Sequence, residues 1–227
     1  MKHITVLLAF FLIASHASAQ TAADSLKTLL DKVEGADKVD VLVELGNQYN
    51  RDNVALAETY LAQTVELSRK LGYIQGEASA ISALGLVWYF AGNHEKALEK
   101  QYEALELVGS DESLGITGTC YSRIAYVLKR MGKNDEAFSF AKKSYQIFED
   151  VDDIQSMAYI TNYIGFAYWQ ISLNDSAFVY YKASLELRKK LGNKDMIALT
   201  SNNIGVLFYQ WGSLEESLSY YTTASTL

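Results

Sequence analysis

A small residue recurs about every 40 residues along this sequence, and this spacing limits the folds that the chain can adopt. The five positions are Gly46, Gly85, Ala125, Gly165 and Gly205, separated by 39, 40, 40 and 40 residues. A fixed period of this length is typical of solenoids, in which each repeat is a helical hairpin that buries its apolar face against its neighbours. The sequence therefore predicts an all-α protein built from stacked helix pairs.

Each repeat contains two helical segments separated by a short break. Around Gly165, Ile164 precedes the glycine, Tyr168 follows three residues later, and Ala177 lies near the start of the second helix. Small residues let antiparallel helices approach closely, so we expect Gly165 to face Ala177 across the hairpin. A helix at residues 20–36 is expected to cover the first repeat. The five repeats are expected at residues 37–73, 74–112, 113–152, 153–193 and 194–227, the last one truncated.

The first nineteen residues have the features of a secretory signal peptide. Lys2 precedes an apolar run over residues 4–14, which is too short to span a bilayer, and Ala17-Ser18-Ala19 fits the small-residue cleavage pattern. We therefore expect cleavage before Gln20, with an uncleaved anchor as the alternative. The expected location is the periplasm, with no membrane insertion of this segment and with tethering by a helix beyond residue 227 left open.

Charge and residue usage argue against several classes of function. Without residues 1–19 the chain has 19 basic and 27 acidic residues, a net charge of −8, which disfavours nucleic acid as a partner. His94 is then the only histidine, so no histidine pair can hold zinc or assist a nucleophile. Cys120, the only cysteine, lies in a helical pattern and is expected to be buried. We expect no enzymatic activity, no metal site and no cofactor in this chain.

The second repeat shows the residue pattern of a known family: Leu84-Gly85, Trp88, Gly92, Ala97 and Ala104. This pattern resembles the tetratricopeptide repeat, and its recurrence extends the resemblance over residues 37–227. The period of 40 exceeds the usual ~34 residues and is similar to long-repeat members such as kinesin light chains and bacterial regulatory arrays. The resemblance implies a right-handed α-solenoid whose concave surface, lined by the first helix of each repeat, binds protein or peptide.

The same resemblance implies a cellular context. Exported arrays of long tetratricopeptide repeats resemble the sensor regions of bacterial signalling proteins, in which a histidine kinase, a nucleotide cyclase or a DNA-binding regulator follows. The second helix of the last repeat would extend to about residue 231 by analogy with its predecessors, so we expect a longer protein. The alternative is a free exported scaffold that assembles cell-envelope proteins. Homo-oligomerisation is left open.

A second stripe on the first helix of each repeat carries the candidate ligand-binding residues. It lies beside the core stripe and mixes aromatic, amide and basic side chains. Asparagine amides offer donors and an acceptor to a peptide backbone, aromatic rings bury apolar side chains, and adjacent cations suit a carboxylate. The candidates are Tyr89, Tyr126, Lys129, Arg130, Asn162, Phe166, Trp169, Asn202 and Tyr209. The alternative is that these residues only pack between neighbouring helices.

The second helix of each repeat is expected to carry the charged outer face. Runs of like charge on a helix are usually solvated. Arg188, Lys189 and Lys190 are therefore predicted to lie in solvent.

Overall fold

The computed structural model describes residues 22–109, 111 and 115–226, so the predicted signal peptide lies outside the described residues. The chain divides into two compact units, of which the first ends at Gly109 and the second begins at Ser110. All regular secondary structure of the described residues is helical, which confirms the predicted all-α fold. None of the helices in this part of the chain is long and apolar enough to cross a membrane.

The first unit contains one short helix and two helical hairpins. Helix α1 covers residues 22–30. The hairpins are formed by α2 (Gly35–Tyr49) with α3 (Val54–Leu71), and by α4 (Ile74–Phe90) with α5 (His94–Leu107). Their core includes Ala57, Leu61, Ala80, Ala83 and Val87.

The first helix is shorter than the predicted range of 20–36. A turn follows residue 30, and the Lys32 N–H donates to the Leu29 carbonyl oxygen at 2.8 Å. Gly35 has a φ of 60° and opens α2 instead of closing α1. A left-handed residue cannot continue a right-handed helix, so the two helices stay separate.

The second unit contains three hairpins and carries most of the candidate site. Its helices are α6 (Gly115–Arg130), α7 (Asn134–Asp150), α8 (Ile154–Gln170), α9 (Asn174–Lys190), α10 (Lys194–Gln210) and α11 (Leu214–Ser225). Buried serine hydroxyls tie second helices to first helices, because Ser144 donates to the Gly118 carbonyl at 2.8 Å and Ser184 to the Ala158 carbonyl at 2.7 Å. Cys120 is buried, as expected.

The small residue of each first helix makes room for one residue of the second helix. A Cβ atom on Gly165 would lie 2.8 Å from the ring of Tyr181, which is 2% exposed. The glycine therefore faces Tyr181, one turn beyond the predicted partner Ala177. In the third repeat the corresponding residues are Ala125 and Ala141, both fully buried in one cluster. The same facing pairs elsewhere are Gly46 with Leu61, Gly85 with Gln101, and Gly205 with Tyr221.

The turn inside the hairpin contains a left-handed residue in the second to fifth repeats. Gly92, Gly132 and Gly212 have φ values of 80°, 78° and 77° at this position. In the fourth repeat Ser172 occupies it with a φ of 61°. A side chain in this region costs about 1 kcal/mol or more, so the α8–α9 turn is strained relative to the others.

Candidate ligand-binding face of the second unit

The structure places all predicted ligand-binding residues except one on the first helices of the second unit. These helices are α6, α8 and α10. Tyr89 lies on α4 of the first unit, where its ring centre is 5.2 Å from that of Phe90 and 5.9 Å from that of His94. The candidate site is therefore described from the second unit alone.

Helices α8 and α10 together present aromatic and amide side chains. We call this set the α8–α10 face: Asn162, Phe166, Trp169, Gln170, Asn202, Tyr209 and Gln210. The indole N–H of Trp169 donates to Gln210 Oε1 at 3.1 Å, which links the two helices. Tyr209 is 64% exposed, so most of its side chain faces solvent.

An open cavity lies at the carboxyl ends of these two helices. It has a volume of about 510 Å³ and is lined by Trp169, Gln170 and Gln210, together with Ser172 in the α8–α9 turn and Asn174 at the start of α9. Hydroxyl and amide groups in this lining supply donors and acceptors, and the indole supplies an apolar wall. The cavity can therefore accommodate a polar backbone beside an apolar side chain.

Asn162 and Asn202 hold the same place in adjacent repeats but differ in their surroundings. Asn162 is half-buried, and its Oδ1 accepts from Asn203 Nδ2 at 3.3 Å and lies 3.5 Å from the Thr200 hydroxyl. The Asn202 side chain is exposed and makes no hydrogen bond to the described residues. Asn162 thus joins α8 to α10, whereas Asn202 is accessible to a ligand.

Lys129 and its neighbours form the α6 side of the candidate site. The Lys129 ammonium lies 3.6 Å from the centre of the Phe166 ring, close enough for a cation–π interaction. Burial, assisted by the charge of Arg130, lowers the pKa of Lys129. Arg130 itself is exposed. Tyr126 packs edge to face on Tyr163 with ring centres 4.8 Å apart.

The sequence interpretation was also wrong for Arg188. It was predicted to lie in solvent, but it is 2% exposed. Its Nη1 donates to the Met196 carbonyl at 2.8 Å and to the Thr200 hydroxyl. The spacing of the residues could have predicted this burial. Arg188 continues the series Ala177, Tyr181 and Ser184 at intervals of four, three and four, and these residues form the buried face of α9.

The described residues contain no group of three or more histidine, cysteine, aspartate or glutamate side chains that could hold a metal ion. Ion pairs in this part of the chain lie mainly on helix surfaces, such as Lys189 with Glu186 at 2.9 Å. Exposed pairs of this kind contribute little to stability. The chemistry of the face is therefore that of hydrogen bonding and aromatic packing.

Comparison with known sequences identifies the repeat. Residues 76–150 match the tetratricopeptide repeat family. The match covers most of the second repeat and most of the third, and it confirms the predicted resemblance there. Comparison with curated proteins gives no significant match.

Solved structures with the same fold span nearly the whole chain. BtubC (BKLC) from P. vanneervenii has a TM-score of 0.71 at 19% identity, covering 92% of this chain and 87% of its own. A Rap protein complexed with competence and sporulation factor has a TM-score of 0.70 at 15% identity, covering 93% and 70%. The Rap conjugation gene regulator of plasmid pLS20, in complex with the Phr* peptide, has a TM-score of 0.67 at 13% identity, covering 91% and 66%. At these identities the likeness establishes the fold alone.

Proposed function

We propose that this chain, a protein of tetratricopeptide repeats, is a non-catalytic module that binds an extended peptide or protein segment on the α8–α10 face of its second unit. The observation that carries the proposal is the groove in which Trp169, Gln170 and Gln210 surround an open cavity of about 510 Å³. Exposed aromatic and amide groups on one face suit an extended chain, because every peptide unit needs both a donor and an acceptor.

Two further features support a peptide as the ligand. Tyr209 and Asn202 are exposed on α10, so they can contact a ligand without unpacking the core. The repeat fold is typical of non-catalytic scaffolds. One solved structure with this fold is a complex with the Phr* peptide, and another is a complex with competence and sporulation factor. The proposed ligand is therefore a peptide.

Selection from a random peptide library against residues 20–227 tests the proposal. Binding of the selected peptides is then measured by calorimetry for the wild type, Tyr209→Ala and Asn202→Ala. We expect Tyr209→Ala to weaken binding roughly tenfold, since an interface tyrosine commonly contributes more than about 1 kcal/mol.

Tyr102→Ala is the matched control for Tyr209→Ala. Tyr102 is 49% exposed but lies on α5 of the first unit. The Tyr102→Ala variant should bind the selected peptides with the affinity of the wild type. Equal losses in the two tyrosine variants, or unchanged binding by both α10 variants with intact helicity, would place the ligand elsewhere.

The cellular context is proposed from the sequence. We propose export after cleavage before Gln20, and a role as the periplasmic sensor part of a bacterial signalling protein. Amino-terminal sequencing of secreted protein should begin at Gln20, and a retained Met1 in membranes would contradict export. Downstream coding sequence with an apolar run of about 20 residues would support the sensor, whereas a polar helix followed by a stop codon would support a free exported scaffold.

A further inference from the structure

A second, smaller pocket opens at the amino-terminal side of the same helices. It has a volume of about 140 Å³, and its lining comes from α8, α9, α10 and the turn before α10. The lining residues are Gln155, Ala158, Tyr159, Arg188, Leu191, Asn193 and Met196. Tyr159 is 42% exposed, so the pocket reaches the surface beside α8.

Arg188 gives this pocket a fixed positive charge. Its side chain is 98% removed from solvent, and arginine stays protonated under ordinary conditions. A buried guanidinium without a counter-charge is costly, so such groups are normally paired. Among the described residues no carboxylate forms an ion pair with Arg188, and Glu186 on the same helix is bound to Lys189 instead.

The hydrogen bonds of Arg188 leave one edge of its guanidinium open. Both protein partners, Met196 and Thr200, are bound by Nη1. Nε and Nη2 make no hydrogen bond to the described residues, and these two nitrogens form the edge that binds a carboxylate through two parallel N–H bonds. The ring of Tyr159 lies 5.7 Å from the guanidinium carbon and forms one wall of the pocket.

We propose that this pocket binds a carboxylate group, which pairs with the open edge of Arg188. The volume of about 140 Å³ fits the end of an aspartate or glutamate side chain or a small free carboxylate. The carboxylate can come from a free small molecule or from the bound peptide, and only the second case rests on the proposed function. In that case an acidic residue of the peptide enters the pocket while its neighbours contact the α8–α10 face.

Titration with acetate tests the pocket without any peptide. The arginine Nε–H signal of Arg188, assigned in ¹⁵N spectra with the variant Arg188→Met, is followed as sodium acetate replaces sodium chloride at constant ionic strength. We expect a saturable shift of this signal in the wild type and in the control Lys189→Met, which removes an exposed cation one residue away. An Arg188 signal that responds equally to acetate and chloride would overturn the proposal.

Selected peptides identify the source of the carboxylate. Each acidic peptide from the library is compared with its Glu→Gln or Asp→Asn form. A peptide source predicts a roughly ten- to hundredfold loss of affinity for the amide form, which disappears in Arg188→Met. If acetate binds but the two peptide forms bind equally, the site takes a small free carboxylate, and the peptide function stands apart from it.

Loss of folding does not prevent the test. Arg188→Met removes an unpaired buried charge, so its thermal midpoint should be equal to or above that of the wild type in the absence of carboxylate. Arg188→Lys keeps the charge but loses the two parallel N–H donors, so this variant should bind acetate more weakly than the wild type. If neither variant folds, the Arg188 signal is assigned in the wild type from through-bond spectra, and a shift of that signal with acetate supports the site.

Discussion

Because Gly165 faces Tyr181, we expect Gly165→Ala to destabilise the wild-type protein but to stabilise the Tyr181→Ala variant. Gly165→Ala adds a Cβ at 2.8 Å from one ring carbon of Tyr181 and at 3.0 and 3.1 Å from two others. The ring is 2% exposed and has little room to move. Overpacking of this kind costs about 1–3 kcal/mol, whereas alanine gains about 1 kcal/mol over glycine within a helix. We expect a net loss of up to about 2 kcal/mol in the free energy of unfolding.

In the Tyr181→Ala background the same change should stabilise the protein. The ring is then absent, so Gly165→Ala keeps the helical gain of about 1 kcal/mol and fills part of the cavity. The double variant recreates the natural pair Ala125 and Ala141 of the third repeat.

Urea unfolding followed by tryptophan fluorescence measures this coupling. Trp88 lies in the first unit, and Trp169 and Trp211 in the second, so all variants are made in a Trp88→Phe background. The coupling energy between the two positions should be about 1–3 kcal/mol. Gly165→Ala effects that are equal in both backgrounds would refute the claim that the Tyr181 ring excludes the methyl group.

Three further predictions concern stability. Asn162→Ala should lower the free energy of unfolding by about 1 kcal/mol because Asn203 loses its acceptor, whereas Asn202→Ala should stay within about 0.5 kcal/mol, as thermal unfolding can show. Ser172→Gly should raise stability by about 1 kcal/mol in urea unfolding, since it relieves the left-handed serine. Burial raises the pKa of Tyr181, so above pH 10 the unfolded chain releases a proton that the folded chain keeps, and the free energy of unfolding falls as pH rises. Tyr181→Phe should make this fall with pH less steep by up to about 1.4 kcal/mol per pH unit. An unchanged dependence on pH would contradict the burial of the hydroxyl.

The repeat period predicted the fold because each close contact between two helices needs a small side chain at the same place in the repeat. A small residue every 40 positions requires a close helix contact, and the structure has one at Gly165. The partner was misassigned by one turn because Ala177 and Tyr181 share a face of α9, and spacing alone does not fix how far two antiparallel helices are offset. The complementary sizes of facing residues decide that offset.

The candidate site was harder to predict because burial depends on neighbouring helices. Asn162 and Asn202 are equivalent along the sequence, yet only Asn162 meets Thr200 and Asn203 on an adjacent helix. Arg188 was assigned to solvent from its charge, although its spacing from Ser184 places it on the buried face. Periodicity was the better guide to its position, and its lack of a counter-charge became visible only in the structure.

The most direct test of peptide binding on the α8–α10 face uses the three tryptophan indole signals in a ¹H–¹⁵N spectrum. Trp169 lines the cavity and donates its indole N–H to Gln210, while Trp88 lies in the first unit. Addition of a selected peptide should shift the Trp169 indole signal in proportion to the bound fraction measured by calorimetry and leave the Trp88 signal in place. Full occupancy with an unchanged Trp169 signal would contradict the proposed binding face.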